Sequence, residues 1–115
     1  MIAAMLIFDV APSEKEIYLG MAAGLRQQLE SIDGFVSVER FESMTRPGTI
    51  LALSFWRDEQ ALTAWRNLEA HRKAQTAGRT KLFSDYRIRV AEVIRDYGPA
   101  DRDQAPADSR AAHGN

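Results

Sequence analysis

The segment AWRNLEAHRKAQ, residues 64–75, holds the side chains best suited to chemistry in this chain of 115 residues. Trp65 and His71 lie six positions apart in it, and the chain has only one other histidine, close to its last residue. A neutral imidazole is a common general base, and an indole often forms one wall of a ligand pocket. Six positions on an unbroken helix separate two residues by about 240°, so this pair shares a pocket only if the helix breaks at Asn67 or Leu68.

Two interpretations of Trp65 and His71 stay open at this point. In the first, both line a cavity between helices and sheet, and His71 acts as a base, a hydrogen-bond donor or a haem ligand. In the second, Trp65 packs in the core and His71 flanks a helix end, which is the more frequent role of single residues of these types. The other histidine, His113, lies in a segment without large apolar residues and gives no information about a site.

Two further polar residues stand where a pocket would use them. Asp9 ends an apolar first strand and is either a buried base or the solvated end of that strand. Tyr86 begins the last predicted strand, where its hydroxyl is able to donate a hydrogen bond to a ligand. Arg87 and Arg89 follow in the same strand, and we expect them to be solvated or to lie at an interface rather than to clamp an anion.

Composition and motifs exclude several classes of site. The chain has no cysteine, which rules out disulfides, thiolate nucleophiles and cysteine-ligated zinc. The net charge of the chain is −1, whereas a nucleic-acid-binding protein usually carries a surplus of basic residues. The sequence contains no phosphate-binding loop, dinucleotide fingerprint or convincing metal-ligand spacing, and a Ser–His–Asp triad cannot be assembled from it. No apolar run approaches the roughly 20 residues that cross a bilayer, and we expect a cytoplasmic protein. Because the motifs named above are missing, we also expect no metal or cofactor.

Hydrophobic patterns predict the elements that would position these side chains. An apolar strand covers residues 2–10, and a helix follows from a capping box formed by Ser13 and Glu16. The second strand, 35–44, alternates, with Phe35 and Phe41 expected on one face. The buried stripe expected on the first helix consists of Ile17, Met21, Leu25, Leu29 and Ile32.

The second half of the chain repeats this alternation of strand and helix. A third strand is expected at 49–56, followed by a helix with Asp58 as N-cap. A shorter helical piece is expected at 69–77 and a last strand at 85–97. The residues of the second helix predicted to point inward are Ala61, Leu62, Trp65 and Leu68.

The order β-α-β-β-α-β is the ferredoxin-like α+β pattern, a four-stranded antiparallel sheet with two helices on one face. We predict one such domain over residues 1–97. Residues 98–115 are rich in Pro, Ala, Asp and Arg; such a segment buries too little surface to offset its chain entropy, so we expect a disordered tail.

The predicted sheet has one face that its own helices cannot cover. Two helices cover a single face of four strands, yet the first and third strands are apolar on both faces. A second copy of the chain is the simplest cover for the other face. The residues therefore predict a homodimer in which two sheets pack face to face.

Three segments carry a resemblance to a known family. They are SIDGF (31–35), SFWRDEQALTAWRNLEAHRKAQTAGR (54–79) and FSDYRIRVAEVIRDYG (83–98). A strand ending in Trp, a helix with the pattern AL..W and then..H..AQ..GR resemble the antibiotic biosynthesis monooxygenase superfamily, the dimeric α+β-barrel group. The resemblance covers about residues 3–97, and the 54–79 segment is its most specific part.

The resemblance implies an oxygenase that needs neither metal nor flavin. Its better-known members oxidise small aromatic, polyketide-derived phenols with O₂, after the substrate loses a proton in a water-excluding pocket. In this chain the resemblance implies His71 as the proton acceptor, with Trp65 and Tyr86 as pocket walls and donors. The residues expected to contact the substrate are Phe8, Asp9, Leu68 and Phe83.

A second branch of the superfamily degrades haem and is disfavoured here. Its pattern has an Asn in the first strand, a Trp on the second helix and an axial His about ten residues later. This chain keeps Trp65 but has Gln75 at the axial position and no Asn in its first strand; glutamine is a poor haem ligand beside imidazole. The third alternative is a non-catalytic dimer that binds a small apolar molecule or has a stress-related role, in which Trp65 and Leu68 would fill the cavity.

Overall fold

The computed structural model describes residues 1–76 and 83–114, with side chains described for 1–69 and 85–114. Four strands and three helices are present in these residues, and a single 3-10 turn at Pro12–Glu14 precedes the first helix. The strands are β1 (Ile2–Val10), β2 (Phe35–Glu42), β3 (Thr49–Trp56) and β4 (Phe83–Glu92). The helices are α1 (Lys15–Glu30), α2 (Glu59–Thr76) and α3 (Ala107–His113).

The strands form one antiparallel sheet in the order β2-β3-β1-β4. This order, with α1 between β1 and β2 and α2 between β3 and β4, is the ferredoxin-like arrangement, so the predicted fold is confirmed. The two central strands, β1 and β3, are the ones whose sequences are apolar on both faces. Their central position follows from that composition, because side chains of a central strand are flanked by neighbours on both sides.

One face of the sheet, here called the covered face, carries α1 and α2. Two clusters of buried side chains lie on it. Phe8 and Trp56, each 1 % exposed, are the most deeply buried large residues of the two clusters. The ring of Phe8 lies 4.7 Å from that of Tyr18 on α1, and the ring of Phe35 lies 5.4 Å from that of Trp56. These aromatic contacts tie α1 and the edge strand β2 to the central strands.

The opposite face, here called the uncovered face, consists of the alternate residues of the same strands. The register places Met5 between Leu53 on β3 and Arg89 on β4, and Ile7 between Leu51 and Arg87. The apolar side chains at its centre are half-buried rather than buried. They are Met5, Ile7, Leu51, Leu53 and Phe55.

The first helix differs from the prediction in its start and its inward stripe. A 3-10 turn precedes it, Glu14 occupies the N-cap, and no side-chain cap forms, so the predicted Ser13–Glu16 capping box is wrong. Ile17 is 49 % and Met21 40 % exposed. Leu25 and Leu29 face the sheet as predicted, whereas Tyr18 and Ala22 take the places expected for Ile17 and Met21. The residues that face the sheet are Tyr18, Ala22, Leu25 and Leu29.

The second strand contains an irregularity that the alternation could not predict. The register shifts between Phe35 and Ser37, and Phe35 pairs with Trp56 on the covered face. Phe41 pairs with Leu51 on the uncovered face and is 44 % exposed. The prediction that Phe35 and Phe41 share a face is therefore wrong, because one extra residue at a bulge reverses the alternation.

The second helix begins as predicted. The carboxylate of Asp58 accepts a hydrogen bond of 2.9 Å from the backbone N–H of Ala61, which confirms the N-cap. Gly34 lies beside this helix start with φ +95°, and a Cβ atom there would approach the Cβ of Ala61 to 2.8 Å. The turn thus requires glycine for its conformation and for the close approach to α2.

The last strand is shorter than predicted, and the chain beyond it contains local structure. β4 ends at Glu92 rather than at residue 97. Within 98–114, where the sequence predicts disorder, α3 forms, and Arg102 Nε donates to the carbonyl of Gly114 at 2.9 Å. Arg110 Nε donates to the carbonyl of Ala105 at 3.1 Å. Arginine side chains that donate hydrogen bonds to nearby carbonyl groups stabilise these turns. The pattern of apolar residues does not predict such hydrogen bonds.

Candidate functional site

An apolar strip on β4 is the most accessible part of the covered face. Tyr86, Ile88 and Val90, here called the β4 strip, pair in register with Phe8, Leu6 and Ala4 of β1 and so lie on the same side as the helices. They are nevertheless 62 %, 56 % and 43 % exposed. Edge strands are the part of a sheet least protected by neighbours. The strip is therefore an exposed apolar surface on the helix side, with one phenol at its end.

Tyr86 is the one predicted catalytic residue whose side chain is both described and exposed. Its register partner on β1 is Phe8, directly across from it. The same register places Tyr86, Ile88 and Val90 on one face of β4. A phenol at the end of an apolar strip is able to orient a small hydrophobic ligand through one hydrogen bond.

Phe8 and Asp9 do not lie together in a pocket, contrary to the expectation. Phe8 is 1 % exposed and packs against Tyr18, which is the position of a core residue. Asp9 is adjacent in the strand and points to the other face, where its carboxylate accepts a hydrogen bond of 2.7 Å from Thr49 Oγ1. Successive strand residues point to opposite faces, so these two side chains lie on different faces of the sheet.

Trp65 contributes to core packing. It is half-buried and packs on the cluster of Ala4, Leu29, Trp56 and Ala61. Leu68, three residues later, is half-buried as well. These contacts match the interpretation of Trp65 as a packing residue, one of the two left open by the sequence.

His71 lies on α2, and the helix does not break before it. α2 runs from Glu59 to Thr76 without interruption, so the separate helical piece expected at 69–77 is wrong, and the helix has no break of the kind that a shared pocket requires. Six residues of continuous helix place Trp65 and His71 about 240° apart around the axis. The side chain of His71 lies outside the described residues, and so does that of Phe83, although the backbone of both is described.

Two polar contacts on the covered face were not predicted. Arg40 Nε on β2 donates a 2.9 Å hydrogen bond to the hydroxyl of Tyr18. The indole N–H of Trp56 donates to Ser54 Oγ at 2.9 Å. In each case the polar atom of a buried aromatic side chain has a hydrogen-bond partner. Without that partner, burying the atom would cost free energy.

Exposed ion pairs hold the ends of α1 and the start of α2. Lys15 Nζ lies 2.9 Å from Glu42 Oε1, and this hydrogen bond, with a second from the backbone N–H of Gly48, lowers the pKa of Glu42. Arg57 Nη1 lies 3.1 Å from Asp33 Oδ1, and this carboxylate raises the pKa of Arg57. Hydrogen bonds from the Ala61 N–H and then from Arg57 lower the pKa of Asp58. These groups fix helix ends and do not converge on the β4 strip.

No set of three or more His, Asp or Glu residues suitable for a metal ion occurs among the residues the structure describes. Within the same part of the chain, no helix is long and apolar enough to cross a membrane.

Comparison with known proteins agrees with the fold and the sequence pattern. Residues 1–77 match the family described as antibiotic biosynthesis monooxygenase. This chain belongs to the antibiotic biosynthesis monooxygenase family. The match ends just after α2, so it includes Trp65 and His71 and excludes β4.

One curated relative is close in sequence and longer. The chain is 48 % identical over 90 residues to the jasmonate monooxygenase ABM of Pyricularia oryzae, an alignment that covers 76 % of this chain and 42 % of that protein. The part of that relative matched by this chain is therefore less than half of its length.

Solved structures with this fold are more distant in sequence. A Deinococcus radiodurans protein of the antibiotic biosynthesis monooxygenase type superposes with a TM-score of 0.70 at 16 % identity, covering 85 % of this chain and 97 % of that one. The haem-degrader MhuD of Mycobacterium tuberculosis, solved with two haems in its active site, superposes with a TM-score of 0.66 at 18 % identity, covering 85 % of this chain and 100 % of that one. At such identities the likeness shows the shared fold alone.

Proposed function

We propose that this chain is a monooxygenase that uses O₂ to oxidise a small, largely apolar organic substrate. The observation that carries the proposal is the 48 % identity over 90 residues to a protein named a jasmonate monooxygenase. The family expectation of an aromatic or polyketide-like substrate gives one candidate class, and jasmonate gives a second. An apolar surface on the helix side, the β4 strip, is compatible with either.

The proposed reaction on a phenol needs no external reductant. The phenol O–H gives its proton to a base, the phenolate reacts with O₂ at a ring carbon bearing hydrogen, and a quinone forms. One oxygen atom enters the new C=O group, and the other leaves as water with the phenol and ring hydrogens. The four electrons that O₂ accepts come from the substrate. The protein's tasks are to exclude water, orient the ring and accept the first proton.

We assign the proton acceptor to His71 and a ligand hydrogen bond to Tyr86. His71 is the one histidine within the family match, since His113 lies far beyond residue 77. Imidazole has an unperturbed pKa near neutrality, as a general base requires. Trp65 has a supporting role in this proposal, because it packs on the core beside the helix segment that carries His71.

Oxygen uptake tests this proposal. An oxygen electrode would follow hydroquinones, naphthols and jasmonate, each with and without ascorbate, because simple hydroxylation of jasmonate requires two added electrons. We expect uptake with at least one compound, and His71→Ala should lower turnover by about 100-fold or more. His113→Ala is the matched control and should retain full activity. Equal activity of His71→Ala and the wild type would remove His71 from the mechanism.

Haem degradation is not supported by the residues present. Where the haem-degrading pattern requires an Asn, this first strand has the buried Phe8 and, on the other face, Asp9 bonded to Thr49. The polar residue that this pattern requires in the first strand is therefore absent. A haemin titration of the wild type should show no saturable Soret shift; a one-per-subunit shift that His71→Ala abolishes would establish haem binding instead.

A non-catalytic binding protein is the second candidate function. The packing of Trp65 on the core cluster and the half-burial of Leu68 favour it, because these side chains then fill the space a substrate would need. Absence of oxygen uptake with every compound, combined with saturable binding of one of them, would support this candidate over the oxygenase.

We also propose that the chain is a cytoplasmic homodimer. The half-buried apolar centre of the uncovered face supports the dimer, because a face of this kind is stabilised when a second sheet packs on it. The lack of cysteine suits a reducing compartment. Sedimentation of the purified protein at micromolar concentration should give twice the mass of one chain.

A further inference from the structure

The C-terminal segment, here residues 97–114, is folded around one arginine side chain. Arg102 Nε donates a hydrogen bond of 2.9 Å to the carbonyl of Gly114, and Nη1 donates to the carbonyl of Gly98 at 3.4 Å. The second terminal nitrogen, Nη2, donates to Ser109 Oγ at 2.5 Å. Because these acceptors come from both ends of the segment, they hold the guanidinium in one place and one orientation.

A cavity of about 480 Å³ adjoins this arginine. The residues that line it are Tyr97, Gly98, Pro99, Arg102 and His113. The guanidinium carbon of Arg102 lies 5.6 Å from the centre of the Tyr97 ring. With histidine counted as neutral, Arg102 supplies the one charge among these five lining residues. The cavity therefore combines a fixed positive charge with an aromatic wall, and its volume is in the range that suits a small organic molecule.

The charge of Arg102 is not neutralised within the part of the chain that the structure describes. The three hydrogen-bond acceptors are neutral groups, and no carboxylate there forms an ion pair with Arg102. Asp101 and Asp103 flank it in sequence, but both are exposed and neither lines the cavity. Arg102 is half-buried, and a partly desolvated cation without an anionic partner is stabilised when an anion binds to it.

The guanidinium of Arg102 also has hydrogen-bond donors left for a ligand. A guanidinium has five N–H groups, and one from each of its three nitrogens donates within the C-terminal segment. Nη1 and Nη2 therefore each keep one N–H that no group among the described residues accepts. Two N–H groups of one guanidinium match the two oxygens of a carboxylate. The rings of Tyr97 and Pro99 offer apolar surface to the rest of such a ligand.

We propose that the C-terminal segment binds a small organic carboxylate with a flat apolar body. The carboxylate accepts hydrogen bonds from Arg102, and the apolar body lies against Tyr97 and Pro99. The site lies beyond residues 1–77, which match the family, and shares no residue with the proposed oxygenase machinery. It is therefore a second binding site, and it does not depend on the reaction proposed above.

A benzoate titration of the full chain, labelled with heavy nitrogen and followed by NMR, tests this site. Benzoate carries a carboxylate on a flat ring, and benzamide is a neutral compound of nearly the same shape. We expect saturable benzoate shifts within residues 97–114, including the Nε–H of Arg102, and binding of benzamide that is weaker by about tenfold or more. Inorganic phosphate should bind more weakly than benzoate. Equal binding of benzamide or phosphate would overturn the assignment of the ligand, and the absence of saturable benzoate shifts would overturn the site.

Two cavity variants and a control separate ligand binding from folding of the segment. Arg102→Gln removes the charge and should weaken benzoate binding by about tenfold or more. Because Arg102 also holds the segment together, His113→Glu is the second variant: it leaves the Arg102 hydrogen bonds in place and adds a carboxylate to the cavity wall, which should weaken binding by a similar factor. Arg95→Gln removes an exposed arginine outside the cavity and should bind benzoate within about twofold of the wild type. Wild-type affinity in either cavity variant would overturn the proposal.

Discussion

The two faces of the sheet are built by alternate residues of the same strands, yet their surroundings differ. On the covered face, Phe8 and Trp56 are each 1 % exposed. Their strand neighbours Ile7 and Phe55, on the uncovered face, are only half-buried. One face therefore stabilises the single chain, and the other has apolar surface available for association. A strand that is apolar on both sides can thus serve folding and assembly at once.

The largest expected effect is on folding and comes from the covered face. Trp56→Ala removes a fully buried indole and its hydrogen bond to Ser54, so we expect a loss of about 3–5 kcal/mol in the free energy of unfolding. Urea denaturation monitored by circular dichroism measures it. Phe55→Ala is the matched control on the other face, and at concentrations where the chain is a monomer it should cost clearly less. Equal losses would mean that the two faces do not differ in burial.

The next effect is on association and comes from the uncovered face. Leu53→Asp places a carboxylate in the centre of the proposed interface, where it loses hydration without a partner. The dimer dissociation constant should rise by about 100-fold or more, while the circular dichroism spectrum stays native. Met44→Asp, at a residue 98 % exposed, should leave sedimentation unchanged. A Leu53→Asp variant that dimerises like the wild type would exclude this face as the interface.

A smaller effect tests the polar contact that links α1 to β2 on the covered face. Tyr18→Phe keeps the ring against Phe8 but removes the acceptor of the Arg40 Nε hydrogen bond. We expect a loss of about 0.5–1.5 kcal/mol in the free energy of unfolding. Tyr97→Phe, at an exposed tyrosine, should change stability by less than about 0.5 kcal/mol. Indistinguishable stabilities of the two variants would show that the Arg40 contact contributes nothing.

The smallest expected effect is the acid sensitivity of the helix ends. The pKa values of Glu42 and Asp58 are lowered, mainly by Lys15 and by the Ala61 N–H respectively. The unfolded chain therefore binds protons at a higher pH than the folded chain does. Their stabilising contribution is complete above the unfolded carboxyl values of about 4 and is lost as pH falls below them.

Denaturation midpoints measured from pH 7 to pH 3 check this direction. Asp58→Asn retains a capping amide but cannot titrate, so its stability should fall less steeply with acid than that of the wild type. Glu42→Gln should behave similarly. Acid profiles of both variants that run parallel to the wild-type profile would contradict the assignment.

The sequence was sufficient for the order of elements, the sheet type and the start of α2, because each depends on local signals. Asp58 is an N-cap by its position before an apolar repeat, and it caps the helix in the structure. Details that depend on long-range packing were not predictable. Tyr18 is buried and its hydroxyl accepts a hydrogen bond from Arg40, 22 residues away in sequence, a contact that local patterns do not predict. The register shift near the start of β2 places the ring of Phe35 against that of Trp56. The alternation of apolar and polar residues does not predict such a register shift.

The candidate site was predictable to a smaller extent than the fold. The alternation of β4 places Tyr86, Ile88 and Val90 on one face of the sheet. It could not show that this strip stays exposed on the helix side, because exposure depends on how far the helices extend over an edge strand. Phe8 and Asp9 are successive residues of β1, so their side chains lie on opposite faces of the sheet.

Isotope labelling is the most direct test of the proposed monooxygenase. A turned-over substrate, selected by oxygen uptake, would be incubated with the wild-type protein under heavy-isotope O₂, and the product would be analysed by mass spectrometry. The proposal predicts that one labelled oxygen atom appears in the product and that labelled water carries the other. A product with no labelled oxygen, or with two, would contradict monooxygenase activity.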